Sequence, residues 1–598
     1  MSLHSDSAAA DVATHLQQQI ETAIASSAED VGAALAPSII AAWAELRHLD
    51  AGAFARLRKQ AKKANADLSL AELDRAIQRA DAEDDGGGST LDTLVALARS
   101  RCELFHDADR QAIAVIPMDD HRQVWRVQSS GFADWLRSLW WTERRAGLQD
   151  TLLKAALATL AAAGIHEGES VQVHLRAART DDGYYLDLGD PLWRVVHIGD
   201  AGWQLLETSP VLFIRTPAMR ALPVPNPHLW DGRDLDRLWD HINVRTEDRL
   251  LVLAWLLDCL RPETPFPALE LVGEQGSAKS TTQSVLRDLV DPNKVPLRGR
   301  PKTVEDIFVA AANNWLVSYE NLSSLTAEQQ DALCTLATGG GFAARQLFTN
   351  GEEHVLQTKR PVILNGISVI ATRPDLIDRV VHLNVPPIPA SRRKDDAVAR
   401  TAWESDRAAV FTGLLDLFAL VFQMVPAVAL PIKQRMADFE RLGEAVALAL
   451  RQPQGTFQAR YADLVRSGID RALDDNPVAS ALDKFLHRET LPWIGTAGTL
   501  HKLLGPLCDS DRSLWPRSPK GFSNELRRIA AAYRMKGIDL ESRGHTRRGA
   551  EWRITRLPGG QAEHEYPVWA PADTTREELD AAEAAARRPS RTRKGTSP

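Results

Sequence analysis

The residues with the clearest chemical potential are glycines, a lysine and hydroxyl residues that follow an apolar run at 269–272. They match the pattern G-x-x-x-x-G-K-[ST], with Ala278 where glycine is usual. Gly273 and Gly276 permit backbone angles that turn N–H groups onto a phosphate, while a lysine and a hydroxyl serve the terminal phosphates and Mg²⁺. We predict a nucleotide-binding loop of Gly273, Glu274, Gln275, Gly276, Ser277, Ala278, Lys279, Ser280 and Thr281.

Two polar residues downstream end predicted strands and could complete a hydrolytic site. Glu320 follows the apolar run at 315–319, and Asn365 follows the run at 361–364. At the carboxyl edge of a parallel sheet, Glu320 is expected near Mg²⁺ and the attacking water, and Asn365 is expected to orient that water. Ser280 and Glu320 are the predicted metal ligands. The alternatives are an ordinary strand-end acid and a simple turn amide.

Two further segments carry cations that could meet phosphates. Arg379 lies just before a predicted strand, a placement from which ring ATPases extend an arginine to the neighbouring subunit's γ-phosphate, and Arg373 competes for that role. Glycines in 338–345 predict a mobile loop that brings a cation close to nucleic acid. The predicted DNA-binding residues of this loop are Thr338, Gly339, Gly340 and Arg345.

A basic C-terminal stretch is a second candidate DNA surface. Residues 517–556 contain eleven Lys or Arg against four acids, although the whole chain has a formal net charge of −8. Three helices followed by an alternating segment at 543–557 predict a winged helix with a two-stranded wing. A basic but merely solvated face is the alternative. The predicted DNA contacts are Arg527, Arg528, Arg534, Arg547 and Arg548.

The framework for these residues is predicted to be that of an α/β multidomain protein. Short apolar strands alternate with helices before residue 395, which predicts a parallel sheet. The segment before this core has a mixed helix and strand pattern, in which Asp182-Gly183 is a hairpin signal. The predicted divisions are 1–100, helical; 101–230, an α+β accessory domain; 231–395, the nucleotide-binding core; 396–476, helical; 477–557, winged-helix-like; and 558–598, a disordered tail.

Composition excludes several classes of protein. The chain has 598 residues, 44% hydrophobic, which is enough for several domains with their own cores. No uncharged apolar run of about 18 residues predicts a membrane span, and the first residues do not resemble an export signal. The four cysteines lie far apart, which argues against a zinc module or a disulfide framework. A cytoplasmic location without membrane contact is therefore expected.

The motifs resemble, as an ordered set, the ATPase domain of superfamily-three helicases. The set consists of GEQGSAKST, an apolar strand ending in Glu-Asn, LATGGG with a following arginine, VILNG and DLIDR. It is similar to the primase-helicase ATPases of phages, plasmids and integrated elements, and it covers about 245–390. The order matches that family's Walker A, Walker B, B-prime and C motifs.

This resemblance implies an AAA+-type core, usually a hexameric ring, that uses ATP and Mg²⁺ to move on single-stranded or forked DNA during replication. It implies that Lys279 binds nucleotide, Glu320 activates water, Asn365 is the sensor and Arg379 is the arginine finger. The loop at 338–345 becomes the element that grips DNA. Residues 1–100 lack the acidic cluster and zinc module of a primase, so no primer synthesis is expected. A separate primase or polymerase is left open as a partner.

Two departures from the family keep other functions open. Glu320 is followed by Asn321 where many relatives carry paired acids, and Gly341 stands where many carry an acid. One alternative is a DNA-stimulated ATPase that remodels or loads protein–DNA complexes without unwinding. The other is a nucleotide-gated DNA-binding adaptor. The loop residues themselves do not distinguish adenine from guanine.

Overall fold

The computed structural model describes residues 5–26, 33, 35–65, 68–84, 89–226, 233–345, 353–474, 476–508, 515–547 and 549–557. The predicted tail at 558–598 and the predicted DNA contact Arg548 lie outside them. The protein combines α-helices with parallel and antiparallel sheets. It divides into two compact units, Met1–Pro117 with Val124–Gln172 and Met118–Gln123 with Val173–Pro598.

The first unit is mainly helical. Trp43 is fully buried in the core that its first four helices share. Side-chain caps explain two helix starts: Asp50 accepts hydrogen bonds from the amides of Gly52 and Ala53, both at 2.9 Å, and Ser89 begins a capping box. The elements to residue 172 are α1 (Ser5–Ser26), α2 (Pro37–Leu49), α3 (Ala51–Ala64), α4 (Leu70–Asp84), α5 (Thr90–Arg99), β1 (Glu103–His106), β2 (Ala112–Pro117), β3 (Arg122–Arg126), α6 (Ser130–Arg144) and α7 (Asp150–His166).

An antiparallel sheet opens the main part of the second unit. The sequence pattern at 171–178 favours one strand, but the structure divides this segment at Arg176. This residue has a φ of +68° and is fully buried. Its guanidinium donates to Asp291 at 3.1 Å and to backbone carbonyls, so the backbone bends to satisfy a buried charge. The sheet has the order β5-β6-β7-β8, and β4 and β9 form a separate parallel pair. The six strands are β4 (Val173–His174), β5 (Ala177–Thr180), β6 (Gly183–Asp187), β7 (Val195–Gly199), β8 (Gly202–Leu206) and β9 (Leu212–Phe213).

A four-stranded parallel sheet in the order β11-β14-β10-β15 follows. Its central strands β10 and β14 are buried throughout, as expected for parallel strands covered by helices. All four strands end at one edge, and Glu320 and Asn365 lie near the ends of β11 and β14. The elements of this region are α8 (Arg233–Asp236), α9 (Arg249–Asp258), β10 (Ala268–Val272), α10 (Lys279–Val290), α11 (Val304–Asn313), β11 (Val317–Leu322), α12 (Ala327–Thr338), β12 (Gly340–Arg345), β13 (Glu353–Thr358), β14 (Val362–Gly366), α13 (Pro374–Ile377) and β15 (Val380–Asn384).

Helices and a small antiparallel sheet complete the unit, and one hydrophobic core extends from Leu175 to Ile554. The sheet has the order β16-β18-β17. Strands β17 and β18 form an antiparallel pair where the sequence predicts the two strands of the wing. Strand β16 is a third strand that was not predicted, because its four residues are too short a run for a clear alternating pattern. The elements are α14 (Asp396–Met424), α15 (Ala437–Ala449), α16 (Thr456–Asp474), α17 (Pro477–Leu486), β16 (Trp493–Thr496), α18 (Ala497–Leu504), α19 (Pro519–Met535), β17 (Ile538–Thr546) and β18 (Gly549–Arg556).

One helical stretch, Asp396–Ala427, is long and apolar enough by composition to cross a membrane. Two-thirds of its apolar window (67%) is buried inside the protein. Asp416 in this helix accepts a hydrogen bond from the Trp203 indole at 2.7 Å. Its apolar residues therefore form protein core.

Candidate functional site

The predicted nucleotide loop, residues 273–278, connects β10 to α10 and is called the phosphate loop below. Gly276 has a φ of +81°, as a tight turn requires. The expectation that Gly273 serves a special backbone angle is wrong, because it has no positive φ. It is needed for space: a β-carbon there would come within 2.5 Å of the Val385 carbonyl oxygen.

Ala278, the residue that departs from the usual pattern, is the second left-handed position of the loop. Its φ of +58° and ψ of +32° place it at the N-cap of α10. An L-residue in this conformation costs about 1–2 kcal/mol, which glycine does not incur. The phosphate loop is therefore closed with local strain at the point where the helix begins.

Lys279 lies folded over the phosphate loop. Its Nζ donates to the carbonyl oxygens of Gly273 and Glu274, both at 2.8 Å, and its side chain is buried. Desolvation by this burial lowers the pKa of the ammonium. The ammonium is thus held at the loop by neutral carbonyls, which a phosphate could replace as its partners.

A buried amide network joins the phosphate loop helix to the strand tips. Gln283, fully buried on α10, donates to the Ser318 hydroxyl at 2.8 Å and to the Tyr319 carbonyl at 3.0 Å. Asn365 donates to the Gln283 side-chain oxygen at 2.6 Å and contacts the Ser280 hydroxyl at 3.5 Å. The structure therefore brings Asn365 and Ser280 together, as the sequence predicts.

Glu320 lies at the same edge of the sheet. The β11–β14 register shifts between Tyr319 and Leu322, and Asn321 adopts a φ of +52°. The Asn321 amide donates to the Asn365 side-chain oxygen at 2.9 Å, so Asn365 connects the Glu320 segment to Ser280. Glu320 is half-buried. A carboxylate and a hydroxyl are ligands that Mg²⁺ accepts, so the donor set fits that ion.

Arg379 lies at the opposite edge of the sheet. Its carbonyl accepts from the amide of Ala268, the first residue of β10, whereas the phosphate loop follows the last residue. The length of the strand, about 3.3 Å per residue, keeps it away from the loop of its own chain. The guanidinium donates to the Asp375 carbonyl at 2.8 Å. The competing Arg373 is bound to Asp331 at 2.8 Å.

The segment predicted as a mobile loop at 338–345 has regular structure, which corrects that expectation. Thr338 is the last residue of α12, Gly339 ends the helix with a φ of +84°, and Gly340 begins β12. Strand β12 pairs antiparallel with β13, with Arg345 opposite Glu353. The Asn350-Gly351 dipeptide between the strands is a hairpin signal that the glycine-based interpretation overlooked.

In the C-terminal helix α19 the predicted DNA-binding arginines lie on different faces. Lys520, Asn524, Arg527 and Arg534 are exposed and spaced by three, four or seven residues, which places them on one stripe. Arg527 donates to Asn524 at 2.9 Å, with its guanidinium over the Trp552 ring.

Arg528 is also exposed but does not belong to this stripe, and its DNA contact stays a prediction. It pairs with Glu525 at 3.4 Å and lines a cavity of about 570 Å³ whose other walls include Glu270, His382 and Arg471. Because 100° separates successive helical residues, Arg527 and Arg528 point in different directions. Arg547, in the turn after β17, is exposed, and its DNA contact stays a prediction.

Two further groups of residues that shape the site were missed in the sequence. Asn243 donates to the carbonyls of Ser277 at 2.9 Å and Pro386 at 2.6 Å. Buried Glu270 accepts from the Ala371 amide at 2.9 Å and contacts the His382 ring at 2.6 Å. The sequence signal for Glu270 is that it is a charged residue inside the apolar run at 268–272. No sequence pattern marks Asn243 as a residue of the site.

A cavity of about 1180 Å³ adjoins the phosphate loop. It is large enough for a nucleotide. The lining residues on the loop side include Gly276, Ala278, Ser280, Thr281 and Ser284.

The four cysteines are buried free thiols. Across the described part of the chain, no group of three or more His, Cys, Asp or Glu side chains could hold a metal ion.

Comparison with known families gives two matches. Residues 235–466 match the family described as actinomycete integrative conjugative element replication protein. The chain is similar to a replication protein of an integrative conjugative element. Residues 478–567 match the C-terminal domain of the same kind of protein, described as AICE RepA C-terminal domain. The first match includes the whole parallel sheet, and the second includes α19 and the whole small sheet.

Solved structures with some similarity include the A form of the apo NrS-1 C-terminal region. It is 11% identical, with a TM-score of 0.36, over 77% of this chain and 98% of that one. JCV helicase, solved with a bound thiazolopyridine acetamide, is 17% identical, with a TM-score of 0.19, over 38% of this chain and 67% of that one. No curated protein matches the chain.

Proposed function

We propose that this protein is an ATP-dependent DNA helicase or translocase of an integrated element, acting in replication as a ring of identical subunits. The observation that carries the proposal is the hydrogen-bonded edge where the phosphate loop helix, Asn365 and the Glu320 segment meet. A P-loop enzyme requires these three parts in one place. The similarity to replication proteins of integrative conjugative elements supports the DNA-related role.

The chemistry follows from the positions of the side chains. The loop amides and Lys279 bind the phosphates of ATP, and Lys279 exchanges its carbonyl partners for phosphate oxygens. Ser280 and Glu320 would hold Mg²⁺, which when bound neutralises phosphate charge. Asn365 would orient the attacking water, and Glu320 would take its proton as the water oxygen bonds to the γ-phosphorus. The bond from that phosphorus to the β–γ bridging oxygen breaks, and ADP leaves with phosphate as the second product.

Arg379 is proposed to complete the site of a neighbouring subunit. It lies at the sheet edge away from its own phosphate loop, so its guanidinium can reach a phosphate only across a subunit contact. There it would stabilise charge on the transferring phosphoryl group. To do so it must exchange its bond to the Asp375 carbonyl for a bond to phosphate.

Two surfaces are proposed to bind DNA. Strands β12 and β13 pair antiparallel just after α12 in the sequence, and we propose that this pair grips single-stranded DNA. The order helix, strand, helix, helix, strand, strand with sheet order β16-β18-β17 supports a winged-helix module at 477–557. In such a module the stripe of Lys520, Arg527 and Arg534 on α19 would face DNA phosphates.

The enzyme proposal is tested by ATP turnover with and without single-stranded DNA for wild type and Lys279→Ala. Stimulated turnover that the substitution abolishes supports an ATPase that acts on DNA. Absence of turnover in wild type, with intact DNA binding, supports the nucleotide-gated adaptor instead. Turnover without strand displacement on a forked duplex supports a factor that remodels protein–DNA complexes.

The ring proposal has its own test in subunit mixing. Lys279→Ala and Arg379→Ala proteins are each expected to be inactive, and Arg379→Ala is expected to keep its nucleotide affinity. In a mixture, an intact loop in one subunit meets an intact Arg379 in the next, so part of the turnover should return. If mixing restores nothing and Arg379→Ala binds nucleotide poorly, Arg379 acts within its own chain.

A further inference from the structure

A stiff segment after β15 crosses the phosphate loop and is called the strap, residues 385–394. The Val385 amide donates to the Val272 carbonyl at 2.7 Å. Asn243 fixes the carbonyl of the following Pro386 at 2.6 Å. Three prolines within 386–389 restrict the backbone that follows. The beginning of the strap is therefore fixed to both sides of the loop.

The strap ends with Arg393 beside the middle of the phosphate loop. A β-carbon added at Gly276 would lie 3.1 Å from a guanidinium nitrogen of Arg393. The Arg393 Nε donates to the Ile388 carbonyl at 3.4 Å, a long bond that leaves most of its five N–H groups for other partners. The side chain is exposed and borders the cavity of about 1180 Å³.

Hydroxyl residues at the start of α10 line the same cavity. They are Ser280, Thr281 and Ser284. Four acids also line the cavity: Asp240, Asp288, Asp396 and Glu404. The Asp288 carboxylate is bound by the Trp403 indole at 2.9 Å and by Arg407 at 3.1 Å, and Arg407 also pairs with Glu404 at 3.2 Å. A nucleotide whose phosphates occupy the loop would therefore extend along a wall that presents the Arg393 guanidinium.

We propose that Arg393 contacts the phosphate chain of the nucleotide bound in its own subunit. The inference rests on the proposed function of the loop and adds a phosphate ligand from the strap to those of the loop. The rigid strap explains why a long, flexible side chain can serve this role: its backbone is placed in advance, so fewer conformations are lost on binding. Lys279 and Arg393 would then hold the phosphates from two segments of one chain.

The test measures the affinities of AMP-PNP, ADP and adenosine for wild type, Arg393→Ala and Arg393→Lys. Arg466→Ala is the matched control, because Arg466 is an exposed arginine paired with Asp463 outside the cavity. Loss of a charge-assisted contact should weaken both phosphate-bearing ligands about 10- to 100-fold in Arg393→Ala. Arg393→Lys should lose less, and Arg466→Ala should stay within about twofold of wild type.

The nucleoside separates a phosphate contact from a change in the shape of the cavity. Adenosine affinity should change less than about twofold in Arg393→Ala if the contact is to phosphate. Equal losses of affinity for adenosine and for ADP in Arg393→Ala would overturn the proposal. Unchanged ADP affinity in Arg393→Ala would also overturn it, provided that Lys279→Ala loses ADP affinity in the same measurements. If wild type binds none of the ligands, the proposed function of the loop fails first, and the inference fails with it.

Discussion

The buried amide of Asn365 offers a sharp test, because it connects three parts of the proposed site. The side chain has no exposed surface. Its nitrogen donates to Gln283 at 2.6 Å, and its oxygen accepts from the Asn321 amide at 2.9 Å. Asn365→Ala removes both partners at once and leaves the surrounding backbone in place.

The expected loss follows from the groups that are left without partners. The Gln283 side-chain oxygen loses a bond in a fully buried environment, which costs about 1–3 kcal/mol. The Asn321 N–H also loses a bond, but Asn321 is exposed, so this loss adds at most about 1 kcal/mol. Asn365→Ala should therefore lower the free energy of unfolding by about 1–4 kcal/mol. In the double variant Asn365→Ala/Gln283→Ala, the Gln283 side-chain oxygen that would be left without a partner is absent. The loss of unfolding free energy should therefore be smaller than the sum of the two single-variant losses by about 1–2 kcal/mol.

The assay is urea unfolding of the full chain followed by tryptophan fluorescence, with nucleotide affinity and ATP turnover measured on the same proteins. Asn313→Ala is the control, because Asn313 is an exposed amide at the end of α11 and should cost at most about 0.5 kcal/mol. Turnover should fall more than affinity in Asn365→Ala. A loss of unfolding free energy under about 1 kcal/mol in Asn365→Ala would refute the proposed hydrogen-bond network. Strictly additive losses for Asn365→Ala and Gln283→Ala in the double variant would refute it as well.

Three other substitutions test separate parts of the account. Ala278→Gly relieves the left-handed strain and should stabilise the protein by about 1 kcal/mol in thermal unfolding, with nucleotide affinity retained; destabilisation would contradict the strain. Arg527→Ala should weaken DNA binding and should reduce the slope of the logarithm of the DNA-binding constant against the logarithm of salt concentration by about one. Arg528→Ala should leave this slope unchanged in titrations at several salt concentrations. Burial raises the pKa of Asp258 to about 7. The folded chain therefore keeps this proton where the unfolded chain has lost it, and stability should fall as pH rises from about 4 to 7, by up to about 4 kcal/mol. Asp258→Asn should flatten that fall in urea titrations, and an unchanged slope would exclude Asp258 as its source.

The parts of the site that follow from local pattern could be predicted from the sequence. An apolar strand, a glycine-rich turn and a helix are adjacent in the chain, so the phosphate loop needs no long-range information. Asn365 and Glu320 could be predicted as strand-end residues because parallel strands end at one edge. Their hydrogen-bonded connection through the Asn321 amide depends on a β-bulge and could not be predicted.

Other features depend on packing that no local pattern records. The role of Gly273 as space for the Val385 carbonyl requires two segments more than 100 residues apart to meet. That Arg528, and not Arg527, lines the cavity of about 570 Å³ depends on which face of α19 packs on the rest of the protein. The break of the strand at Arg176 requires its buried partner Asp291. In each case a distant residue decides the local conformation or direction.

The central claim is that ATP hydrolysis at the phosphate loop drives movement on DNA. The most direct measurement follows strand displacement on a forked duplex over time, with ATP and Mg²⁺, for wild type and Lys279→Ala under the same conditions. The account predicts displacement by wild type that needs ATP, with none above background by Lys279→Ala although its DNA binding is intact. Displacement by Lys279→Ala at the wild-type rate, or ATP turnover by wild type with no displacement, would contradict it.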